Sequence, residues 1–144
     1  MSAHDTLPAR PRPPLNAETA PYWEGLRAHR LLLQRCARCH TIRHYPRPLC
    51  ARCYSFAHDW IEASGRGTVH TWTTSHHAFE PAFKALLPYT TVTVDLDEGV
   101  RLQAPLAGGG AARLAVGRAV VVDFEDVDDT LTLPCVRLVE TGDG

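Results

Sequence analysis

Long apolar runs are missing from this 144-residue chain, and none approaches the roughly 20 residues that a membrane-spanning helix needs. The opening segment, MSAHDTLPARPRPPLNAE, has no apolar stretch of the kind found in secretory signals. Lysine is also nearly missing: 14 of the 15 basic residues are arginine, and Lys84 is alone. A GC-rich genome produces an excess of arginine over lysine as readily as phosphate recognition does, so this excess does not indicate a function. We therefore expect a soluble, cytoplasmic protein of one ordinary domain or two very small ones.

The net charge of the chain is also small, with a formal value of only −1. Residues 1–60 carry nine basic and four acidic side chains, which gives +5, whereas residues 61–144 carry six and twelve, which gives −6. Hydrophobic residues make up 44% of the chain, enough for a packed core. The near-neutral total is therefore the sum of two halves of opposite sign.

Composition divides the chain into four predicted segments. Four prolines before residue 16 predict a flexible arm. Tyr22, Trp23 and Leu26 then recur at helical spacing and predict a short amphipathic helix over about 19–29. Gly65 and Gly67 mark the boundary between the later modules. The predicted segments are 1–15, a flexible arm; 16–30, an N-terminal helix; 31–63, a metal-binding ribbon; and 64–144, a β-barrel.

The last segment is rich in β-branched residues and turn signals, which predict strands. A helical insertion at 80–87, a glycine loop at 108–110 and an acidic turn at 126–130 separate these strands. Five strands without a crossover helix favour a small oligonucleotide/oligosaccharide-binding (OB) barrel, although a five-stranded half-sandwich would produce much the same pattern. The predicted strands are 68–75, 89–96, 100–106, 119–124 and 131–139.

Four of the five cysteines form two C-x-x-C pairs, Cys36 with Cys39 and Cys50 with Cys53. In a cytosolic chain this spacing is typical of metal binding rather than of disulfides. Four thiolates complete a tetrahedral zinc shell and leave no open position for catalysis, so we expect one structural zinc ion per chain. An iron centre and a redox dithiol are the alternatives, but the separation of the pairs favours one shared ion. The fifth cysteine, Cys135, is expected to be a buried apolar residue.

Arginines surround the cysteine pairs. Residues 25–58 contain seven arginines and no acidic residue. Zinc held by four thiolates carries a net charge of −2, which accounts for part of this positive charge. The surplus predicts a basic face for phosphates, of nucleic acid or of coenzyme A, or for an acidic partner. The candidate residues are Arg38, Arg43, Arg47 and Arg52.

Several short motifs, taken in order, resemble the DUF35 family, and they span about residues 18–140. They are LQRCARC at 33–39, PRPLCARC at 46–53, SGRGTV at 64–69, WT at 72–73, PY at 88–89, DLDEGVRL at 95–102, Gly117, and LP at 133–134. The resemblance implies a mainly β chain with an N-terminal helix, a rubredoxin-like zinc ribbon and a C-terminal OB barrel. It further implies a non-catalytic companion of a thiolase-like or ketosynthase-like enzyme, or of a hotdog-fold hydratase, that helps to hold acyl-CoA.

Two other functions have weaker support. Zinc ribbons and OB barrels also bind single-stranded nucleic acid, but such binding needs many basic residues and stacking aromatics, and the barrel half carries −6. An independent enzyme would need a nucleophile placed against its base. The residues available for one are Ser75, His76, His77, His70, Asp95, Asp97 and Glu98, and no spacing among them fixes such a pair. We expect the cluster at 75–77 to be an exposed strand end.

Overall fold

A computed structural model describes residues 10–140. One α-helix and then eight strands follow one another in the described part of the chain, and the predicted mainly β class is confirmed. The elements are α1 Ala20–Arg27, β1 Leu32–Cys36, β2 Ile42–Arg43, β3 His58–Glu62, β4 Arg66–Ser75, β5 Tyr89–Leu96, β6 Arg101–Pro105, β7 Ala119–Asp128 and β8 Leu131–Leu138. Two 3-10 helices lie between later strands, Pro81–Leu86 between β4 and β5 and Ala111–Arg113 between β6 and β7.

Helix α1 is short because residues near its first and last turns fix where it begins and ends. Pro21 occupies the first turn, where its missing N–H costs nothing. The backbone leaves the helical region at His29, whose φ of 57° is the left-handed value that commonly ends a helix. Leu26 is fully buried and Tyr22 nearly so, which fixes the face that packs against β1 and β8. No helix among residues 10–140 has the length and apolarity that a bilayer crossing requires.

The ribbon is a three-stranded antiparallel sheet with β1 in the centre, flanked by β2 and β3. Pro46 and Pro48 follow β2 and prevent a helix in the connection to the second cysteine pair. The sheet brings both cysteine pairs to one end of the ribbon.

The last five strands form a sheet in the order β6-β5-β4-β7-β8. Its two edges meet where Leu106, just after β6, forms a parallel bridge with Val136 in β8. The amide of Ala107 donates to the carbonyl of Val136 at 2.8 Å. This contact closes the sheet into an OB barrel and rules out the half-sandwich that the sequence left open.

Strand β7 is longer than the sequence predicted. The acidic segment 126–130 was expected to be a turn, but β7 continues to Asp128 and the turn is confined to Asp129 and Thr130. A β-bulge between Asp126 and Asp128 absorbs one extra residue and lets pairing with β8 continue. The predicted insertion at 80–87 is the 3-10 helix Pro81–Leu86, a tighter form than an α-helix.

A single apolar core runs through the whole described structure. Leu26 of α1 and Leu33 of β1 belong to the same buried cluster as Val69, Val92 and Val136 of the barrel. Because residues before and after Gly65 share this core, the ribbon and the barrel are expected to depend on each other for stability.

Candidate functional site

The ribbon brings the four paired cysteines together. The Sγ atoms of Cys36, Cys39, Cys50 and Cys53 all lie within 4.8 Å of one another. Sγ–Sγ distances are 3.5 Å between Cys36 and Cys53 and 3.6 Å between Cys39 and Cys50. A tetrahedral ion with Zn–S bonds of about 2.3 Å separates its sulfurs by about 3.8 Å. The donor set and its spacing therefore fit zinc.

The two cysteine turns are built alike. In each turn the residue after the second cysteine donates its amide to the carbonyl of the first, His40 to Cys36 at 3.0 Å and Tyr54 to Cys50 at 2.9 Å. Amides two residues after the first cysteines point at sulfur, with Arg38 N and Arg52 N each 3.4 Å from Sγ. Such N–H groups stabilise thiolates, the form that binds metal. The hydrogen bond of Cys39 to the Thr41 hydroxyl lowers the pKa of that thiol to about 6.

Both turns carry a residue in the left-handed region, which favours glycine. His40 has a φ of 65° and Tyr54 a φ of 63°. Left-handed backbone costs a residue with a Cβ roughly 1–2 kcal/mol. Tyr54 nevertheless stands there with 71% of its surface exposed, so burial of the ring does not offset that cost.

Replacing Tyr54 with glycine is therefore expected to stabilise the ribbon by about 1 kcal/mol. Urea unfolding of the metal-loaded chain measures the change. Ala57→Gly, three residues later at an exposed position, is the matched control and is expected to lose stability, because there glycine only adds freedom to the unfolded chain. A Tyr54→Gly variant less stable than the parent would contradict the strain assigned to this turn.

The four candidate arginines differ in their surroundings, because one is hydrogen-bonded within the ribbon and three are exposed. The guanidinium of Arg43 donates from Nε to Gln34 Oε1 at 2.6 Å and from Nη2 to the carbonyl of Arg47 at 2.8 Å. Gln34 is fully buried and also accepts from the amide of Arg47 at 2.8 Å. Arg43 thus holds the segment after β2 against the ribbon. Arg38, Arg47 and Arg52 have exposed side chains, and in the described part of the chain none of them forms a salt bridge.

Two of the residues considered for an independent enzyme, Asp95 and His70, are in contact. Asp95 lies 3.3 Å from His70 and 2.8 Å from Arg101 in a surface cluster on the barrel. The Glu98 carboxylate accepts from the amide of Ser64 at 2.9 Å and ties the ribbon–barrel junction to the β5–β6 turn. His76 and His77 are exposed, just after β4. None of these contacts among the described residues pairs a nucleophile with a base.

The structure also contains a cleft that sequence patterns did not indicate. It has a volume of about 400 Å³ and lies where α1, the ribbon and the barrel meet. We call it the junction cleft; six of its lining residues are Tyr22, Trp23, Tyr45, Phe83, Pro105 and Leu133. These six residues come from five separate parts of the chain, so no local periodicity reveals the cleft.

His44 lies behind two of the aromatic walls of this cleft. Its ring centroid is 3.9 Å from that of Tyr45 and 5.3 Å from that of Tyr22. Both ring nitrogens are buried and have no hydrogen-bond partner among the described residues. Burial lowers the pKa of His44 to about 4, so the ring is neutral near pH 7 and packs as an aromatic group.

A second cavity of about 710 Å³ continues along the barrel beside the 3-10 helix Pro81–Leu86. We call it the lateral groove; its lining includes Leu86, Tyr89, Thr90, Cys135 and Arg137. Cys135 is 5% exposed, and burial raises the pKa of its thiol. The junction cleft and the lateral groove share four lining residues, Arg10, Phe83, Pro105 and Glu125, so they lie side by side.

Residues 10–15 belong to the predicted arm, and residues 1–9 lie outside the described residues. Arg10 pairs with Glu125 at 3.1 Å, and Arg12 pairs with Asp128 at 2.9 Å. Hydrogen bonds from Arg12 and Thr130 hold the pKa of Asp128 below its usual range. These contacts attach Arg10 and Arg12 to β7, beside the junction cleft.

Comparison with known families covers both modules. Residues 23–59 match the family described as "ChsH2, rubredoxin-like zinc ribbon domain", and residues 60–125 match "ChsH2, C-terminal OB-fold domain". The chain belongs to the ChsH2/DUF35 family. The resemblance drawn from the sequence motifs is thereby confirmed.

Curated relatives carry related names. The chain is 42% identical over 128 residues to a "Probable enoyl-CoA hydratase alpha subunit" of Thermomonospora curvata, covering 89% of this chain and 40% of that protein. It is 36% identical over 118 residues to the "3-oxo-4,17-pregnadiene-20-carboxyl-CoA hydratase alpha subunit" of Mycobacterium tuberculosis, covering 80% of this chain and 37% of that protein. A "DUF35 domain-containing scaffold protein" of Methanocaldococcus jannaschii is 29% identical over 100 residues, which is 66% of this chain and 70% of that protein. The chain thus spans about two fifths of the length of the two hydratase subunits.

Solved structures agree on the fold. A chain described as "Ltp2-ChsH2(DUF35) aldolase" superposes with a TM-score of 0.80 at 41% identity, covering 88% of this chain and 98% of that one. A DUF35-family protein of unknown function from Sulfolobus solfataricus superposes with a TM-score of 0.59 at 16% identity, covering 86% and 87% of the two chains. The second match supports the fold alone.

Proposed function

We propose that this chain is a non-catalytic accessory component of an acyl-CoA-processing complex. Its catalytic partner would be a thiolase-like enzyme or a hotdog-fold hydratase. The observation that carries the proposal is the 41% identity, over 98% of the matched chain, to a chain whose description names a two-component aldolase. Two further relatives are named as alpha subunits of CoA-thioester hydratases.

Zinc in this proposal is structural. Cys36, Cys39, Cys50 and Cys53 would hold one ion, with no ligand position left for substrate. Bound zinc supplies folding energy and keeps the exposed arginines of the two cysteine turns in position.

The basic face of the ribbon would contact the partner or the phosphates of coenzyme A. Arg38, Arg47 and Arg52 are exposed and without a salt bridge among residues 10–140, which leaves their charges available. Arg43 is assigned a structural role instead, because its Nε and Nη2 donate to Gln34 and to the Arg47 carbonyl. A charge reversal at Arg43 would therefore test folding rather than binding.

Co-purification from the native host, with identification of what travels with the chain, tests the main proposal. A thiolase-like or hydratase subunit in the eluate supports it. Nucleic acid in place of an enzyme would favour the single-stranded nucleic-acid alternative and contradict the proposal.

Charge reversal of the exposed arginines tests the role of the ribbon. The double variant Arg47→Glu, Arg52→Glu is expected to weaken binding of the purified catalytic subunit or of coenzyme A by about tenfold or more, because reversed charges repel an acidic ligand. Calorimetric titration at low salt measures both affinities. The matched control is Arg66→Glu, a barrel residue whose side chain is 74% exposed, and it is expected to change neither affinity. If both affinities survive in the double variant, the basic face has no binding role.

A further inference from the structure

The proline-rich segment 10–15, which we call the strap, forms part of the wall of both cavities. Arg10 lines the junction cleft and the lateral groove, and Pro11 lines the junction cleft. The strap leads toward α1, which supplies Tyr22 and Trp23 to the same cleft. A movement of the strap therefore changes the size and accessibility of the cleft, while the barrel and the ribbon stay as they are.

Two arginine side chains attach the strap to β7. The guanidinium of Arg10 donates to both carboxylate oxygens of Glu125, at 3.1 and 3.4 Å. Arg12 donates to both carboxylate oxygens of Asp128, at 2.9 and 3.3 Å, and to the hydroxyl of Thr130 at 2.9 Å. Paired contacts of this kind fix the orientation of both side chains. The strap thus has one defined docked position on β7.

Little else holds the strap in this position. Its residues form no backbone hydrogen bond within the described range 10–140. Leu15 leaves 62% of its surface exposed, so its burial adds little. Ion pairs at a protein surface are individually weak, and salt screens them. The docked position therefore depends mainly on two charge pairs that salt or a competing anion can displace.

The two ends of the strap differ in how firmly they are held. At its C-terminal end, the amide of Thr19 donates to the Asn16 side chain and the amide of Ala20 donates to the Asn16 carbonyl, each at 2.9 Å. These bonds fix the connection to α1. Three of the six strap residues are proline, whose fixed φ keeps the segment stiff. A release of the two arginines therefore lets the strap swing as a unit about residue 16.

The Arg10–Glu125 pair stands where the two cavities meet. Both of its residues line the junction cleft and the lateral groove alike. The side chain of Arg10 is only 28% exposed, so most of it lies against the protein at this boundary. When Arg10 leaves, the cleft of about 400 Å³ gains a wider mouth toward the groove of about 710 Å³.

We propose that the strap is a lid on the junction cleft, which is closed by the Arg10–Glu125 and Arg12–Asp128 pairs and opens when salt or a competing carboxylate displaces them. The closed lid lowers the apparent affinity of the cleft for a small apolar molecule, because only the open fraction of the chains can bind it. Access to the cleft is thereby coupled to the charge on β7. This coupling depends neither on which molecule enters nor on the accessory role proposed above.

A neutral fluorescent dye, N-phenyl-1-naphthylamine, tests the lid on the zinc-loaded 144-residue chain. Its affinity is measured at about 0.01 M and about 1 M salt, where the screening length is roughly 30 Å and 3 Å. Binding is expected to tighten about fivefold at the higher salt, the change that the loss of two weak surface pairs allows. Equal or weaker binding at the higher salt overturns the lid, since an uncharged dye has no ion pair of its own to lose.

Two double variants separate the lid from other effects of salt. Arg10→Ala with Arg12→Ala removes both pairs, so the dye should bind this variant at low salt as tightly as it binds the parent at high salt. Arg30→Ala with Arg101→Ala is the matched control, because it removes two other exposed pairs whose arginines line neither cavity. The control should keep the salt dependence of the parent. The same salt dependence in the first variant would contradict the lid.

A charge swap tests whether the ion pair, rather than the bulk of Arg10, closes the cleft. Arg10→Glu places two carboxylates opposite each other and is expected to raise dye affinity about fivefold at low salt. Adding Glu125→Arg restores an ion pair of reversed polarity and should return the affinity to that of the parent. Thermal unfolding of each variant shows that it is folded. A swapped variant that keeps the affinity of Arg10→Glu overturns the role given to the pair.

A blocking variant locates the dye. Gln103→Trp fills the junction cleft from an exposed position on β6 and is expected to abolish dye binding in a chain that still unfolds cooperatively. Dye binding that persists in this folded variant overturns the junction cleft as the cavity that the strap covers. The same conclusion follows if the Arg10→Ala, Arg12→Ala variant binds no dye at either salt concentration.

Discussion

A Cys36→Ser variant is expected to lose its zinc and its cooperative unfolding transition. Structural zinc contributes on the order of 10 kcal/mol, whereas a domain of this size is stable by only about 5–15 kcal/mol. Serine leaves three thiolates and an open shell, so most of that contribution disappears. Because Leu33 and Val136 belong to one buried cluster, the loss should extend from the ribbon into the barrel.

Elemental analysis and circular dichroism on heating measure this outcome. The parent chain should contain one zinc per chain, and Cys36→Ser close to none. Cys135→Ala is the control, since Cys135 is buried in β8 away from the four-cysteine cluster; it should keep the zinc and lose about 1 kcal/mol of stability. Iron in the purified chain, or an unchanged melting temperature after chelation, would contradict a structural zinc site.

Gly67→Ala is expected to destabilise the barrel by about 3 kcal/mol through a clash between neighbouring strands. A Cβ on Gly67 would overlap the carbonyl oxygen of Asp95 and lie 2.7 Å from Cγ1 of Val94. Both atoms belong to β5, which pairs with β4 at this point. The oxygen is part of the backbone, so relief of the clash requires the strands to separate.

The sign and size of the stability change distinguish two reasons for a glycine at position 67, conformational freedom and close packing of the strands. If Gly67 only gave the chain freedom, alanine would stabilise the protein by about 0.4–1 kcal/mol by restricting the unfolded state. The expected loss has the opposite sign and is larger. Urea unfolding decides between them, with the neighbouring exposed Thr68→Ala as control, which should change stability by no more than about 0.5 kcal/mol. A Gly67→Ala chain as stable as the parent would show that β4 and β5 adjust without cost.

Several elements could be predicted because their determinants are local. The alternating run over Tyr89–Leu96 has the bounds that the sequence predicts, since period-two burial and β-branched residues act within one strand. The two C-x-x-C pairs indicate a shared metal because the spacing alone permits two thiolates to face one ion.

Other features depend on contacts that residue identity and local propensity do not reveal. The sequence predicts that Arg43 is available for binding, yet its Nε and Nη2 donate to Gln34 and to the Arg47 carbonyl. The acidic segment 126–130 is predicted to be a turn, yet pairing with β8 keeps residues 126–128 extended. Propensity is a weak prior, and strand pairing overrode it at residues 126–128.

The sequence by itself determined the order of the modules, the four thiolates and the opposite charges of the two halves, because each depends only on residue identity and spacing. Tertiary structure alone decided the closure of the barrel at Leu106 and Val136, the core shared by ribbon and barrel, and the junction cleft. Each of these joins segments far apart in the chain. Their geometry is set by how the elements pack, and a pattern along the sequence does not carry that information.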